Sequence, residues 1–272
     1  MGTAKRERQK ANRQLGRQEQ AKEVRRDKTK RMGLRLGIGI PLAIAVLWGI
    51  VLLVNRGNDT TTTPSTSTVA AATPVTAPGA SIKGETPCPA ADGSSPQTMS
   101  FENAPPNCLD PTKSYEAVIT TNKGEMTVAL DAVNAPLTVN NFVVLARYHY
   151  FDDTNCHRII PDFAAQCGDP TATGTGGPGY TFADELPASG AYKVGSVAMA
   201  NSGPNTNGSQ FFIITGADGA ALPPNYSLFG EITQGLDDTV KALNAAGNPD
   251  AAANGVPPLE DIVILSVTIN EI

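Results

Sequence analysis

Arg158, Gln166 and Gln210 are the polar residues that a hydrophobic core would not explain. Arg158 stands in the apolar run Cys156-His157-Arg158-Ile159-Ile160, in a part of the chain poor in basic residues. A lone Arg most often makes a surface ion pair. Gln210 opens the strand-like run Gln210-Phe211-Phe212-Ile213-Ile214-Thr215. The segment feeding it, Asn201-Ser-Gly-Pro-Asn-Thr-Asn-Gly-Ser209, is dense in residues that supply positive φ, fixed φ or side-chain-to-backbone bonds. An ordered polar loop that delivers an amide and two aromatics onto a sheet suggests a wall that binds extended peptide. Phe163, Phe212 and Phe229, taken singly, read as core. The joint occurrence of Arg158 with the Asn201–Phe212 loop makes the case for a site.

Other chemistries fare worse. Gly174, Gly176 and Gly179 satisfy GxGxxG, but Pro178 interrupts the pattern and no βαβ unit surrounds it, so a flexible loop is the better reading. Cys167 with His157 could form a Cys/His nucleophile pair; a secreted cysteine with a plausible partner is more often a disulfide. Asn207-Gly208-Ser209 is formally a glycosylation sequon inside the dense loop and is discounted. The four cysteines, Cys88, Cys108, Cys156 and Cys167, contain no CxxC pair, and His149 and His157 are the only histidines, so no metal site is expected.

Short strands must carry these residues. Tyr115–Thr121 and Met126–Leu130 flank Asn122-Lys-Gly-Glu, a hairpin signal. Apolar residues from Ala135 to Tyr150 fall at helical spacing. Further strands are expected at 155–160, 163–166, 196–200, 210–215, 228–232 and 261–270, with a second helix over 236–246. Many short strands with two helices suggest an antiparallel barrel. A two-residue turn at Pro161-Asp162 would set Cys156 opposite Cys167, near enough for a disulfide, although a one-residue slip would separate them.

Charge divides the whole chain. Residues 1–35 hold thirteen Lys/Arg against four Asp/Glu, a net of +9; the remainder holds eight basic and 22 acidic residues, a net of −14. Between them Leu36–Val54 gives nineteen residues without a charge, enough to cross a bilayer as a helix. The basic excess puts residues 1–35 in the cytoplasm and the chain beyond Arg56 outside. A cleaved signal is the competing reading; the basic region is too long for one. Such a tail can also hold anionic lipid. Nothing beyond charge suggests nucleic acid, so none is expected. The organisation expected is a tail (1–35), a transmembrane helix (36–54), a Thr/Pro/Ala-rich stalk (55–80), an irregular extension (81–113) and a folded domain (114–272). All cysteines come after the span, so the same topology puts them in an oxidising compartment. Sequence proximity favours Cys88–Cys108 and Cys156–Cys167.

HRIIPxFxxQxGD over 157–169, then GSVxMANxGPNTNGSQFFI over 195–213 and LFGEI over 228–232, resembles the cyclophilin family of peptidyl-prolyl cis–trans isomerases. The resemblance covers about residues 114–272. It implies a mainly β fold, a closed eight-stranded antiparallel barrel capped by two helices, and rotation of X–Pro bonds in proline-containing polypeptides without cofactor. It gives Arg158 the catalytic role. Phe163, Phe212, Leu222 and Tyr226 would line the proline pocket, Gln166 and Gln210 would bond the substrate backbone, and Asn201 would hold the preceding residue through its main chain. His157 would stand behind them. Ala164 sits where a Met usually lines the pocket, Ala221 where a Trp usually lies, and Tyr226 where a His is frequent. The pocket is therefore expected to be wider or shallower, and cyclosporin binding weak. The leading function is a membrane-tethered folding assistant for secreted or envelope proteins. A peptide-binding chaperone module and a Cys156/Cys167 redox protein are the alternatives.

Overall fold

The structure, a computed structural model, describes residues 80–272. The tail, the apolar span and all but the end of the stalk lie outside the described residues. Among the described residues no helix is long and apolar enough to cross a membrane.

The extension holds two short strands, Ala80–Ile82 (β1) and Thr98–Phe101 (β2), which pair in parallel. Cys88 and Cys108 are joined across it. In Tyr115–Thr121 (β3), Tyr115, Ala117, Ile119 and Thr121 are buried and the residues between them are half-exposed. That is the two-residue period of a strand with one face on a core. β3 pairs with Gly124–Leu130 (β4) across the turn Asn122-Lys123. Pro136–Arg147 (α1) begins with a proline, which suits a helix's first turn because its missing N–H would lack a partner there anyway. α1 is buried from Thr138 onward. Its Phe142 packs against Phe151, Phe211 and Phe229 at ring-centre distances of 5.1, 5.5 and 5.2 Å, the aromatic centre of the core.

Then come Thr154–Asn155 (β5), Arg158–Ile160 (β6), Ala164–Cys167 (β7), Ser196–Met199 (β8), Phe211–Ile214 (β9), the one-turn helix Ala217–Ala220 (α2) and Leu228–Gln234 (β10). A π-helical turn, Leu236–Val240, runs into Lys241–Ala245 (α3), and Val263–Glu271 (β11) is the last strand. The sheet has nine strands in the order β5-β11-β3-β4-β10-β8-β9-β7-β6. Every pairing within it is antiparallel.

This corrects the expected barrel of eight strands. Among the described residues the sheet curls but does not close by pairing its end strands, β5 and β6. The chain steps from one to the other through Cys156-His157, where the single strand expected over 155–160 is broken. A loop covers the outer edge of β6 instead: Ile159 N–H donates to Gly255 O (3.0 Å), and Asn248 N–H donates to Ile159 O (3.0 Å).

The β6–β7 register also differs from the two-residue turn. Ile160 faces Ala164, so Pro161-Asp162-Phe163 form a three-residue connection. Asp162 adopts a left-handed φ of +59°, a conformation Asp tolerates and three-residue hairpin loops use. Cys156 and Cys167 are bonded nonetheless. Cys156 lies before β6 begins, outside the ladder, so strand register does not fix its distance from Cys167.

Candidate active site

A row of paired residues crosses three neighbouring strands. Arg158 on β6 faces Gln166 on β7, and Gln166 faces Phe212 on β9. Facing residues on adjacent strands project to the same side of a sheet. Ala198 on β8 continues the row beyond Phe212. On this side a second, smaller apolar cluster forms from Ala164, Tyr192, Ala198, Phe212 and Ile214, with Phe163, Leu222 and Tyr226 against it. Its members Ala164 and Phe212, with Phe163, Leu222 and Tyr226, wall a cavity of about 220 Å³. Arg158, Phe163, Ala164, Gln166, Ala200, Asn201, Phe212, Leu222 and Tyr226 line it.

Hydrogen bonds aim the polar groups. Arg158 Nε and Nη2 donate to the carbonyl and Oδ1 of Asn254, each at 3.1 Å, and Nη1 donates to Gln166 Oε1 at 3.3 Å. Gln166 Nε2 donates to Gln210 Oε1 (2.8 Å), and Gln210 Nε2 donates to Gly176 O (2.9 Å). A guanidinium carries five N–H donors, so Arg158 keeps donors for a ligand. Among the described residues no ion pair involves Arg158. Its charge stands 5.9 Å from the centre of the Phe163 ring. Burial pushes the Arg158 pKa down and Tyr226 opposes this. An Arg so placed is charged throughout the physiological range.

The aromatic wall is braced from behind. Phe212 and Tyr226 meet edge to face at 5.3 Å. Tyr192 Oη donates to Tyr226 O (2.6 Å) and accepts from Tyr226 N–H (3.1 Å). Asn201 Nδ2 donates to Asn225 O (3.0 Å), and its Oδ1 accepts from Gly203 N–H (3.2 Å). The Asn201 side chain thus ties the Leu222–Tyr226 segment to the Asn-rich loop at the cavity's edge.

Not every expected residue meets there. Gln210 lines a larger neighbouring cavity of about 660 Å³, walled by Gly174–Thr181 and sharing Gln166, Ala200 and Asn201 with the first. Ala164 is buried in the smaller cavity's wall, but Ala221 is exposed at the end of α2 and does not line it. His157 is buried beside the site, with no partner for either ring nitrogen. Burial lowers its pKa; Asp169 opposes this and Arg158 adds to it.

Three residues that sequence reasoning left without a role prove structural to the site. Asn254 orients Arg158 from 96 positions away, and nothing local in the sequence marks it. Ala200 lines both cavities. Asp169 is fully buried, and its carboxylate accepts N–H groups from Thr171, Thr173, Gly174 and Gly176 at 2.7–3.1 Å. The glycine-rich segment expected to be a flexible loop is therefore organised around one carboxylate. The run Asp-Pro-Thr-Ala-Thr-Gly could have signalled this, because Asp commonly bonds the backbone two residues on.

Residues 117–269 match the family model described as cyclophilin type peptidyl-prolyl cis–trans isomerase/CLD. A probable peptidyl-prolyl cis–trans isomerase B of Mycobacterium leprae is 38% identical over 176 residues, covering 58% of this chain and 57% of that protein. The match thus spans little more than half of that relative. A putative peptidyl-prolyl cis–trans isomerase of Staphylococcus aureus is 38% identical over 57% of this chain and 92% of its own length. Among solved structures, a Cryptosporidium parvum cyclophilin-type isomerase aligns with a TM-score of 0.52 and 32% identity, covering 58% of this chain and 98% of that one. The same protein in the presence of the dipeptide Ala-Pro gives a TM-score of 0.51, with 31% identity over 57% of this chain and 98% of that one.

Proposed function

The chain belongs to the cyclophilin-type peptidyl-prolyl cis–trans isomerase family, and from that premise we propose that its domain accelerates rotation about X–Pro bonds in polypeptides. Rotation faces a barrier of about 18–20 kcal/mol because the planar amide has partial double-bond character. Twisting breaks that resonance, and the proline nitrogen pyramidalises and regains a lone pair. A donor aimed at this nitrogen stabilises the twisted state more than either planar ground state, which is what lowers a barrier. Arg158 supplies the donor. The proline ring sits in the cavity of about 220 Å³ against Phe163, Phe212, Leu222 and Tyr226. Gln166 and Gln210 bond the backbone, and Asn201 holds the residue before proline through its main chain. No nucleophile, metal or cofactor enters this scheme.

The observation carrying the reading is Arg158 itself. It is unneutralised among the described ion pairs, held from behind by Asn254, and set at the rim of an apolar cavity beside an amide row. Arg158→Ala should lower kcat/KM on a proline peptide by roughly 10²–10³, about 3–4 kcal/mol. Near-normal rates in that variant would leave only a peptide-binding module.

The same proposal extends to location and clients. The uncharged 36–54 segment, the basic 1–35 tail and the position of all four cysteines after the span support a membrane-tethered domain outside the cytoplasm. Proline-containing secreted or envelope proteins are the clients that location would supply. Protease added to intact cells should remove the domain; complete protection would place it inside.

A further inference from the structure

The extension, residues 81–113, precedes the 117–269 stretch that the family shares. Its β2 nonetheless touches the wall of the larger cavity. Phe101 N–H donates to Pro178 O at 2.7 Å. Gly179, at φ +109°, lies so close behind that a Cβ there would fall 2.4 Å from Phe101 O, a separation that only glycine permits. The Phe101 ring is 1% exposed and packs at 5.4 Å from Tyr148 and 6.3 Å from Tyr180. Both Pro178 and Tyr180 line the cavity of about 660 Å³.

Besides the Asp169 carboxylate, which accepts from Gly176 N–H, and Asn141 Oδ1, which accepts from Tyr180 Oη at 2.7 Å, two attachments tie that wall to the cleft and to the extension. At Gly176 it is bonded to Gln210, and through Gln210 to Gln166 and Arg158. At Pro178 and Gly179 it leans on β2. β2 in turn belongs to a segment fastened at its other end, where Cys88–Cys108 closes it and α1 grips it. Asn140 Oδ1 accepts from Cys108 N–H (2.7 Å), and Asn140 Nδ2 donates to Pro106 O (2.9 Å). The larger cavity shares Asn201 with the proline pocket. Asn201 holds the residue before proline in the isomerase scheme, so the peptide N-terminal to X–Pro runs toward this wall.

We infer that the extension is part of the substrate cleft, with Phe101 a positioning residue that holds the Gly176–Tyr180 wall against the client residues preceding X–Pro. The inference rests on the isomerase reading and deepens it to the selection of substrate length. A short peptide that ends at X–Pro never reaches this wall. A peptide with three more residues ahead of X–Pro does.

The test compares two such peptides on the full-length chain and on Phe101→Leu, which keeps an apolar side chain but removes the ring. KM for the longer peptide should rise about fivefold or more while kcat changes little, because a wall contact made equally in ground and transition states affects binding. Both constants for the short peptide should stay within about twofold. Equal losses on both peptides, or none on either, in a variant that still melts cooperatively would overturn the inference. If Phe101→Leu fails to fold, the paired change Cys88→Ser with Cys108→Ser frees the extension from its other end and takes the same comparison. If the unaltered chain turns over neither peptide, the isomerase reading fails. The two peptides are then compared by calorimetric binding, where loss confined to the longer one supports the wall and equal binding overturns it.

Discussion

Arg158 can act on a proline nitrogen only while its guanidinium is both oriented and left un-neutralised. A carboxylate partner would orient it but would compete for its charge. Asn254 orients it with a carbonyl and an amide oxygen, which fix the plane and add no charge. Asn254→Ala removes the Oδ1 bond and keeps the carbonyl bond, so on the proposed mechanism kcat should fall by up to about tenfold with KM little changed, since part of the positioning of Arg158 is lost while the pocket remains. Restoration of most of that rate by Asn254→Asp would show that bonding alone matters; a rate lower still would show that neutrality matters as well. Kinetics on one proline peptide decide between them. At this scale Arg158, Gln166 and Phe212 were legible because they lie within contiguous motifs. Asn254 was not, because its contact with Arg158 exists only after the chain has folded back across 96 positions. Ala221 misled in the opposite way: its place in the sequence pattern suggested a wall position, yet it is exposed at the end of a one-turn helix.

Among the elements, the β6–β7 hairpin controls the geometry. Its register puts Arg158 opposite Gln166, and its base is tied by Cys156–Cys167. Hydrophobic runs located these strands well. They could not reveal that the connection takes three residues, since Asp162 accepts a left-handed backbone as readily as it accepts a turn position. Nor could they show that the 155–160 run breaks at Cys156-His157. Replacing both cysteines, Cys156→Ser with Cys167→Ser, removes a cross-link spanning 11 residues and should destabilise the domain by roughly 2–4 kcal/mol. Activity should fall more steeply with temperature than in the parent, as the Arg158 hairpin loosens before the sheet melts. Denaturant unfolding and a temperature series of rates measure both effects; an unchanged midpoint would exclude a stabilising role. Peptide mass mapping under non-reducing conditions checks the pairing directly.

For the molecule as a whole, the two histidines set opposing pH slopes. Burial holds the His157 pKa below its ordinary value of 6.5, with Arg158 adding to this and Asp169 opposing it. His149 is different. Burial disfavours its charge, but the Gly93 carbonyl and the Asp152 carboxylate outweigh that and raise its pKa above 6.5. His157 binds more protons unfolded, so its contribution to stability is present above 6.5 and is lost as pH falls toward its depressed folded value. His149 binds more protons folded, so its contribution is present below 6.5 and is lost as pH rises through its raised folded value. Stability from these groups should peak near pH 6.5, the ordinary histidine value. Replacing His149 by Gln should flatten the alkaline side alone. Urea unfolding from pH 5 to 8 reads both limbs. His149 also grips Gly93 of the extension (2.8 Å), so the alkaline limb reports on how that segment is held. Local pattern could not reveal that grip, because the extension carries no strong apolar period and its docking depends on Phe101, Asn140 and His149 meeting partners far along the chain.

The loop from Asn248 to Gly255 that covers the outer edge of β6 has one more consequence. A protein that handles unfolded chains meets extended segments with free N–H and C=O groups, and an open strand edge is a template on which such segments add and accumulate. Ile159 is the central residue of β6, and its outward N–H and C=O are both already occupied by this loop. On the proposed isomerase reading, a client would meet the Gln166 and Gln210 amides and the Asn201 main chain in the cleft, and would find no free N–H or C=O at Ile159 on the edge beside it. What the covered edge would then secure is release: a chain that has turned about its proline would leave with no ladder of hydrogen bonds to unfasten.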